Sequence, residues 1–489
     1  MNILLITLDQ FRADCLSAAG HPLVRTPALD HLAEQGVRFA RHYSNAAPCG
    51  PGRACLYTGT YQMNNRVVAN GTPLDARFDN IALAARRAGY KPCLFGYTDQ
   101  SVDPRVTTGP DDPRLASYEG VLPGFEPGLV SRPGHPTEWL EFLREQGHVV
   151  SDDWREAATT EPDRPAEHSI TAWLTDRFLN WLPQQKEPWF AHLSHIRPHE
   201  PFAAAGEFAS AYDPGDCAPP IKPAADCHPF HQQLLQVEGL AAPQDGEAMA
   251  EIQAQYFGMI SEVDAQLARV WEALKASDQW EDTFIIVTSD HGENLGDHGL
   301  IQKCAWFEAS YHVLSILRDP RAPKAHGSVV NRFTEAVDIF PTLAEALGIE
   351  VPLQCDGLPL TPFLNGAEPA HWRVAAHWEW DWRYTHIPFG PHAWPWDRRL
   401  EDKTMMVHRD ETIGYVQFGS GEAIAFDLSL DPTWRTPVTE PARLLSAAQA
   451  LLSWRACHAD RTMTGMLIEA GGIGRWPPMP ENWGNTDAK

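Results

Sequence analysis

The sequence predicts an α/β protein: a mostly parallel sheet sandwiched by helices, followed by a smaller C-terminal α+β domain containing an antiparallel sheet. Three observations predict it. The chain opens on Asn2–Leu8, a continuously apolar run bounded by polar residues, as buried strands are. Short β-type runs then alternate with helical patterns through the first three-quarters, which implies parallel strands covered on both faces. Near residue 370 the texture changes to closely spaced strand-like runs, as in an antiparallel meander.

Taken in order, Thr26-Pro27 starts a helix by N-cap and N1 preference, with Leu29, Leu32 and Ala33 on one face and Gly36 ending it. Val37–Tyr43 reads as a strand, and Asn80–Ala88 as a helix leading into a strand at Pro92–Tyr97. Trp173–Leu182 is helical and feeds the strand Trp189–Ser194. The longest helix spans Glu247–Ala276, where Ile252, Tyr256, Met259, Val263, Leu267, Val270 and Leu274 recur at steps of three and four. Phe284–Ser289, rich in Ile and Val, is the next strand.

Beyond residue 370, Trp378, Trp380, Trp382, Trp394 and Trp396 crowd a Pro- and His-containing stretch. Core or interface packing suits these rings better than the cap of an aryl pocket. The runs Thr404–His408, Gly414–Phe418 and Ala423–Leu428 make the meander, and a helix at Pro441–Ala456 precedes an irregular Pro/Trp-rich tail. The expected division is a large domain over residues 1–370, a smaller one over 371–460, and a tail at 461–489 packed on the body or on a subunit interface.

The 489 residues are 43% hydrophobic and 21% charged, enough for a sizeable core without disulfides. Lys and Arg number 39 against 64 Asp and Glu, a formal net charge of -25. Such a surface repels nucleic acid and anionic membranes, so neither is an expected partner. An anionic substrate therefore needs local cations at its site. No basic n-region or cleavage site precedes the first strand, and no apolar run approaches a membrane span. The nine Cys are scattered with no CxxC pair, which argues against a disulfide framework or zinc ribbon and for a reducing cytoplasm.

The segment that carries chemistry is Pro48-Cys49-Gly50-Pro51-Gly52-Arg53-Ala54-Cys55-Leu56-Tyr57-Thr58-Gly59. Cys49-x-Pro51-x-Arg53 followed by Leu-x-Thr-Gly resembles the signature of the sulfatase family, in which the Cys is oxidised to formylglycine. The resemblance runs over most of the chain, from Leu8-Asp9-Gln10 through Ser289-Asp290-His291-Gly292 to the meander. Its local variants look closest to phosphonate monoester hydrolases and phosphodiesterases. Asp9-Gln10 stands where many sulfatases have two acids, and Asp290-His291 where they have Asp-Asn. The resemblance implies an alkaline-phosphatase-like fold, a small anionic ester substrate, maturation by a formylglycine-generating enzyme, and a homo-oligomer, tetramer or dimer.

Physical chemistry fits that reading. A hydrated formylglycine is a geminal diol; one hydroxyl, bound to a cation, loses its proton easily and attacks phosphorus or sulfur. The other lets the covalent ester collapse to the aldehyde. Pro51 suits the first turn of a helix whose orphan N–H groups face the nucleophile and an anionic substrate. Arg53 holds the hydroxyls and offsets charge. Without this context, Cys49 reads as an ordinary buried thiol before a helix.

Asp9 and Gln10 sit at the carboxyl end of the first strand, where open α/β sheets place ligands, and Asp290 and His291 end another apolar strand. Two carboxylates, one imidazole and the oxygen derived from Cys49 make a mixed O/N site for one divalent ion, Mn2+ before Zn2+ or Fe2+, with Ca2+ the poorest fit. Gln10 adds a carbonyl oxygen or orients the other ligands. A lone Asp after a strand is usually only a helix cap; the glycines of Asp290-His291-Gly292 and Gly296-Asp297-His298-Gly299 favour close backbone approach instead.

Lys303, in Leu300-Ile301-Gln302-Lys303, resembles the family lysine that contacts the oxyanion, although a Lys taken alone is a solvated charge. His199, in Arg197-Pro198-His199-Glu200-Pro201-Phe202, matches the family's Pro-His-x-Pro-Phe turn, where it hydrogen-bonds substrate or protonates the leaving oxygen. Asn70 and Tyr97 sit where phosphonate hydrolases carry polar substrate contacts. Tyr97-Thr98-Asp99 departs from the expected hydroxyl-rich run at Asp99, an acid expected to weaken binding of a doubly charged ester. The expected function is metal-dependent hydrolysis of phosphonate monoesters and phosphodiesters with promiscuous sulfate ester hydrolysis. An arylsulfatase of the same mechanism and a catalytically silent binding protein are the alternatives.

Overall fold

The computed structural model describes residues 1–117, 119–130, 137–382, 402–459, 467–468 and 474–475. Its main sheet has eight strands: β1 (Asn2–Leu8), β2 (Val37–Phe39), β4 (Cys93–Gly96), β5 (Glu126–Val130), β6 (Phe190–His195), β7 (Thr283–Thr288), β8 (Ser315–Arg318) and β9 (Ser328–Val330). They lie in the order β5-β4-β6-β1-β7-β8-β2-β9. All neighbours are parallel except β8, which runs antiparallel to β7 and β2.

β1 is the central strand, and its side-chain alternation divides the core into two faces. Leu4, Ile6 and Leu8 pack with Met259, Val263, Leu267 and Val270 of the helix Gly246–Ala276. Ile3 and Leu5 point the other way, toward Ala54, Leu56 and Tyr57 and the helices Ile81–Arg87 and Ile339–Leu347. Both faces are thus covered, as continuous apolar strands require.

Two local readings need correction. The strand expected at Val37–Tyr43 is two pieces, β2 and the short β3 (His42–Tyr43), which leaves the main sheet to pair with β10 (Thr334–Glu335). Thr26 precedes helix α1 (Pro27–Glu34) without a side-chain cap; its hydroxyl instead lies 2.6 Å from Ser17 Oγ. The cap is supplied from afar, by Asp264 accepting the N–H groups of Ala28 and Leu29.

The C-terminal meander is a four-stranded antiparallel sheet, β11 (Ala376–Asp381), β12 (Thr404–Arg409), β13 (Ile413–Phe418) and β14 (Ala423–Asp427), packed by the helix Pro441–His458. Trp378, Trp380 and Trp382 are buried with Tyr43, Trp306 and Tyr311, so they build core. Trp394 and Trp396 lie outside the described residues, as does the tail 461–489 except for the pair Leu467–Ile468 and Gly474–Arg475. The meander is fastened beside the nucleophile segment: Glu379 N–H donates to Asn45 O, Asn45 Nδ2 to His377 O, and Met63 N–H to Glu379. No helix among the described residues is long and apolar enough to cross a membrane.

Candidate active site

Parallel neighbours β4, β6, β1 and β7 bring their carboxyl ends to one edge of the sheet, and the segments that follow them converge there. Asp9 and Gln10 follow β1, Asp290 and His291 follow β7, Tyr97 and Asp99 follow β4, and His199 follows β6. Cys49 is the first residue of helix α2 (Cys49–Thr58), every residue of which is buried. The helix fits so closely because it carries glycine where it meets the β7 loop: a Cβ on Gly52 would stand 2.5 Å from Asp290 O.

Candidate ligand atoms of Asp9, Cys49, Asp290 and His291 all lie within 4.8 Å of one another, fully buried. His291 Nε2 is 3.2 Å from Cys49 Sγ and 3.6 Å from Asp9 Oδ1, and Asp9 Oδ1 is 3.7 Å from the sulfur. The thiol marks where the oxidised, nucleophilic side chain would stand. His291 Nδ1 sits 3.0 Å from Gly292 O, so a proton there leaves the Nε2 lone pair facing the cluster. Burial, the largest influence, pushes the His291 pKa down, which favours the neutral ring a metal needs. The donor set and its orientation fit one divalent ion.

Arg53 lies across the floor of the cluster with no exposed surface. Nε donates to Asp290 Oδ2 at 2.8 Å, one terminal nitrogen donates to Asp9 Oδ2 at 3.3 Å, and the other to Ser194 Oγ at 2.8 Å and Tyr97 O at 3.2 Å. Its guanidinium stacks over the Tyr97 ring at 4.1 Å. Burial would raise the Asp9 pKa, but His199, His291, Arg53 and Lys303 outweigh it and hold Asp9 ionised. Burial and then Asp9 push the Cys49 thiol far up, so as a thiol it is a poor nucleophile.

Lys303 Nζ donates to Gln10 Oε1 at 2.8 Å and lies 2.8 Å from His199 Nε2. Gln10 Nε2 donates to Glu293, which fixes the amide with its oxygen toward Lys303. Asn70 is exposed and accepts the Gly50 N–H at 2.8 Å, one of the orphan donors of α2. The Tyr97 hydroxyl donates to Asp9 Oδ2, so it bears on the ligand cluster itself. Asp99 is buried at a left-handed φ of 50°, with Oδ1 lacking a hydrogen-bond partner among the described residues. Burial, the largest influence, pushes its pKa well up, which favours the uncharged acid over the carboxylate.

All of the expected residues therefore gather at this edge. Sequence reasoning missed Glu200, Glu293 and Ser194. Their positions offered a signal: Glu200 follows His199 directly, Glu293 lies two residues past His291, and Ser194 is near the end of β6.

The Sulfatase family model matches residues 1–349. The chain is 35% identical to the multifunctional alkaline phosphatase superfamily protein PehA of Trinickia caryophylli, over 95% of this chain and 96% of that protein. It is similar to the phosphonate monoester hydrolase of Agrobacterium radiobacter, with 42% identity, a TM-score of 0.86, and 97% and 100% of the two chains covered. The phosphonate monoester hydrolase SpPMH of Silicibacter pomeroyi gives 35% identity and a TM-score of 0.88, covering 97% and 99%.

Proposed function

The chain belongs to the sulfatase family of hydrolytic enzymes, and from that premise we propose that it hydrolyses phosphonate monoesters and phosphodiesters through a formylglycine made from Cys49, with sulfate esters as side substrates. One observation carries the reading: the buried convergence of Asp9, Cys49, Asp290 and His291 at the carboxyl edge of the sheet. The similar proteins named phosphonate monoester hydrolases support the choice of substrate class.

Asp9, Asp290 and His291, with the oxidised Cys49 side chain, would hold one divalent ion, and Gln10 would complete or orient the set. Mn2+ suits these mixed oxygen and nitrogen donors. When bound, the ion supplies acidity to the nucleophilic hydroxyl and charge for the transferred group. Arg53 orients both carboxylates toward it. Lys303, whose burial is opposed by the neighbouring carboxylates Glu200 and Asp9, offsets the negative charge that grows on the transferred group. His199 bonds or protonates the departing oxygen; burial, the largest influence, lowers its pKa, but Glu200 and Asp9 together turn the net shift upward. Asn70 and Tyr97 contact the substrate, Asn70 from beside Gly50 and Tyr97 from beside Asp9. The proposed setting is a reducing cytoplasm, where the scattered cysteines other than Cys49 stay as thiols.

An arylsulfatase is the second reading, supported by the 24% identical Arylsulfatase of Clostridium perfringens. A silent binding protein would have lost part of the nucleophile and metal set, which is present in full. The deciding experiment compares kcat/KM for a phenyl phosphonate monoester, a phosphodiester and a sulfate ester on protein matured with a formylglycine-generating enzyme. The phosphonate monoester and diester are expected to lead, and intact mass to show the loss expected when CH2–SH becomes CHO at Cys49. Preference for the sulfate ester would favour the second reading. Near-normal turnover by Cys49→Ala would remove Cys49 as the nucleophile.

A further inference from the structure

His199 is held on both sides. Its Nδ1 lies 2.9 Å from the Glu200 carboxylate Oε2 and 2.9 Å from the Glu200 backbone oxygen, while Nε2 lies 2.8 Å from Lys303 Nζ. A proton on Nδ1 directed at Glu200 leaves Nε2 as the ring position that faces Lys303 and the cluster. Glu200 lies outside the cluster of Asp9, Cys49, Asp290 and His291, yet it reaches the same network from a second direction, with Oε2 3.5 Å from Gln10 Nε2. The contacts run Glu200, His199, Lys303, Gln10, Glu293, a line with a carboxylate at each end and the cation in the middle.

We propose that Glu200 is a positioning residue for leaving-group departure: its carboxylate sets the His199 ring and stabilises its protonated form, so that Nε2–H meets the departing oxygen. The proposal rests on the reading of His199 as the proton donor. In that step the nucleophile enters as its alkoxide and forms the new bond to phosphorus as the bond from phosphorus to the ester oxygen breaks. The electron pair goes to that ester oxygen, which takes the proton from His199 Nε2. The alcohol leaves neutral, and the ring is left neutral with Nδ1–H still on Glu200. Lys303, whose Nζ lies 2.8 Å from Nε2, then has an acceptor there.

This arrangement matters most where the leaving group is poor. A 4-nitrophenolate departs with little help, whereas phenol or an alkyl alcohol needs its proton in the transition state. The experiment measures kcat/KM on matured full-length protein for aryl phosphonate monoesters from 4-nitrophenyl to phenyl, in wild type, Glu200→Ala, Glu200→Asp and His199→Ala. For Glu200→Ala the expected loss is about 10- to 100-fold on the phenyl ester and under about threefold on the 4-nitrophenyl ester, with part of the phenyl activity returning in Glu200→Asp. Metal content and Tm should match wild type. Equal losses along the series, or none, would overturn the proposal, since a merely structural role does not sense the leaving group. If His199→Ala loses activity uniformly, the reading of His199 itself is wrong and the proposal falls with it. A leaving-group-dependent loss in His199→Ala beside a uniform one in Glu200→Ala would overturn the role of Glu200 alone.

Discussion

Arg53 Nε donates to Asp290 Oδ2 at 2.8 Å, and neither side chain has any surface in contact with solvent. The same guanidinium reaches Asp9, so a single cation spans both buried carboxylates. Arg53→Met would remove the guanidinium that bonds both acids and strip Asp290 Oδ2 of its ion pair. The expected cost in metal-free protein is about 3–5 kcal/mol in urea unfolding. Arg53→Lys restores charge but not the planar fork, and should recover less than half of that loss.

His291→Ala should remove metal and activity together. The ring offers Nε2 to the cluster because Nδ1 is engaged by Gly292 O. Loss of a hydrogen bond behind a ligand already costs about 10- to 100-fold in metal affinity, and loss of the ligand should cost more. Metal analysis after dialysis checks it; unchanged metal content would take His291 out of the ligand set.

Gly52→Ala tests the seam between α2 and the β7 loop. The new methyl would stand 2.5 Å from Asp290 O and 3.0 Å from Ala46 O, both backbone atoms with little room to yield. A loss of about 1–3 kcal/mol is expected. Because the displaced group is the backbone of Asp290, a proposed metal ligand, metal content should fall as well, and Tm with metal analysis reads both.

Asp264 gives a pH test away from the active site. It accepts from Ala28 N at 2.9 Å and Leu29 N at 2.8 Å, and burial, only partly offset by those bonds, pushes its pKa up to about 7. An unfolded Asp titrates near ~3.9, so between these values the folded chain binds the extra proton. This contribution to stability is fully present below about pH 4 and is lost as pH rises through about 7, on the order of 4 kcal/mol. Asp264→Asn should flatten that decline, measured as urea midpoints at pH 5 and pH 8.

Much of this was legible in the residues themselves. β1, β6, β7 and the helix Gly246–Ala276 announce themselves by apolar runs and by spacing, because burial on two faces or one stripe writes a pattern into the chain. Cys49, Arg53, Asp9, Asp290 and His291 stood out through motif and strand-end position. Glu200 and Glu293 did not, because an acid in a loop reads as solvated surface until its partners, here His199 and Gln10, are placed beside it. The position of Tyr97 suggests a substrate contact, but its bond to Asp9 depends on β4 and β1 both flanking β6, a fact of sheet order. The break between β2 and β3 was hidden for the same reason: β3 pairs with β10, almost three hundred residues away.

The enclosure of α2 sets an order of events in the life of the chain. Once Arg53 is locked between Asp9 and Asp290 and Gly52 is seated on the β7 loop, Cys49 is only 5% exposed, which leaves a macromolecular oxidant no approach to its side chain. Residues closing that pocket are synthesised some two hundred and forty positions after Cys49. On the proposed conversion of Cys49, the interval open to a maturation enzyme would run from synthesis of the segment until Asp290 docks, and a molecule that folded first would keep its sulfur.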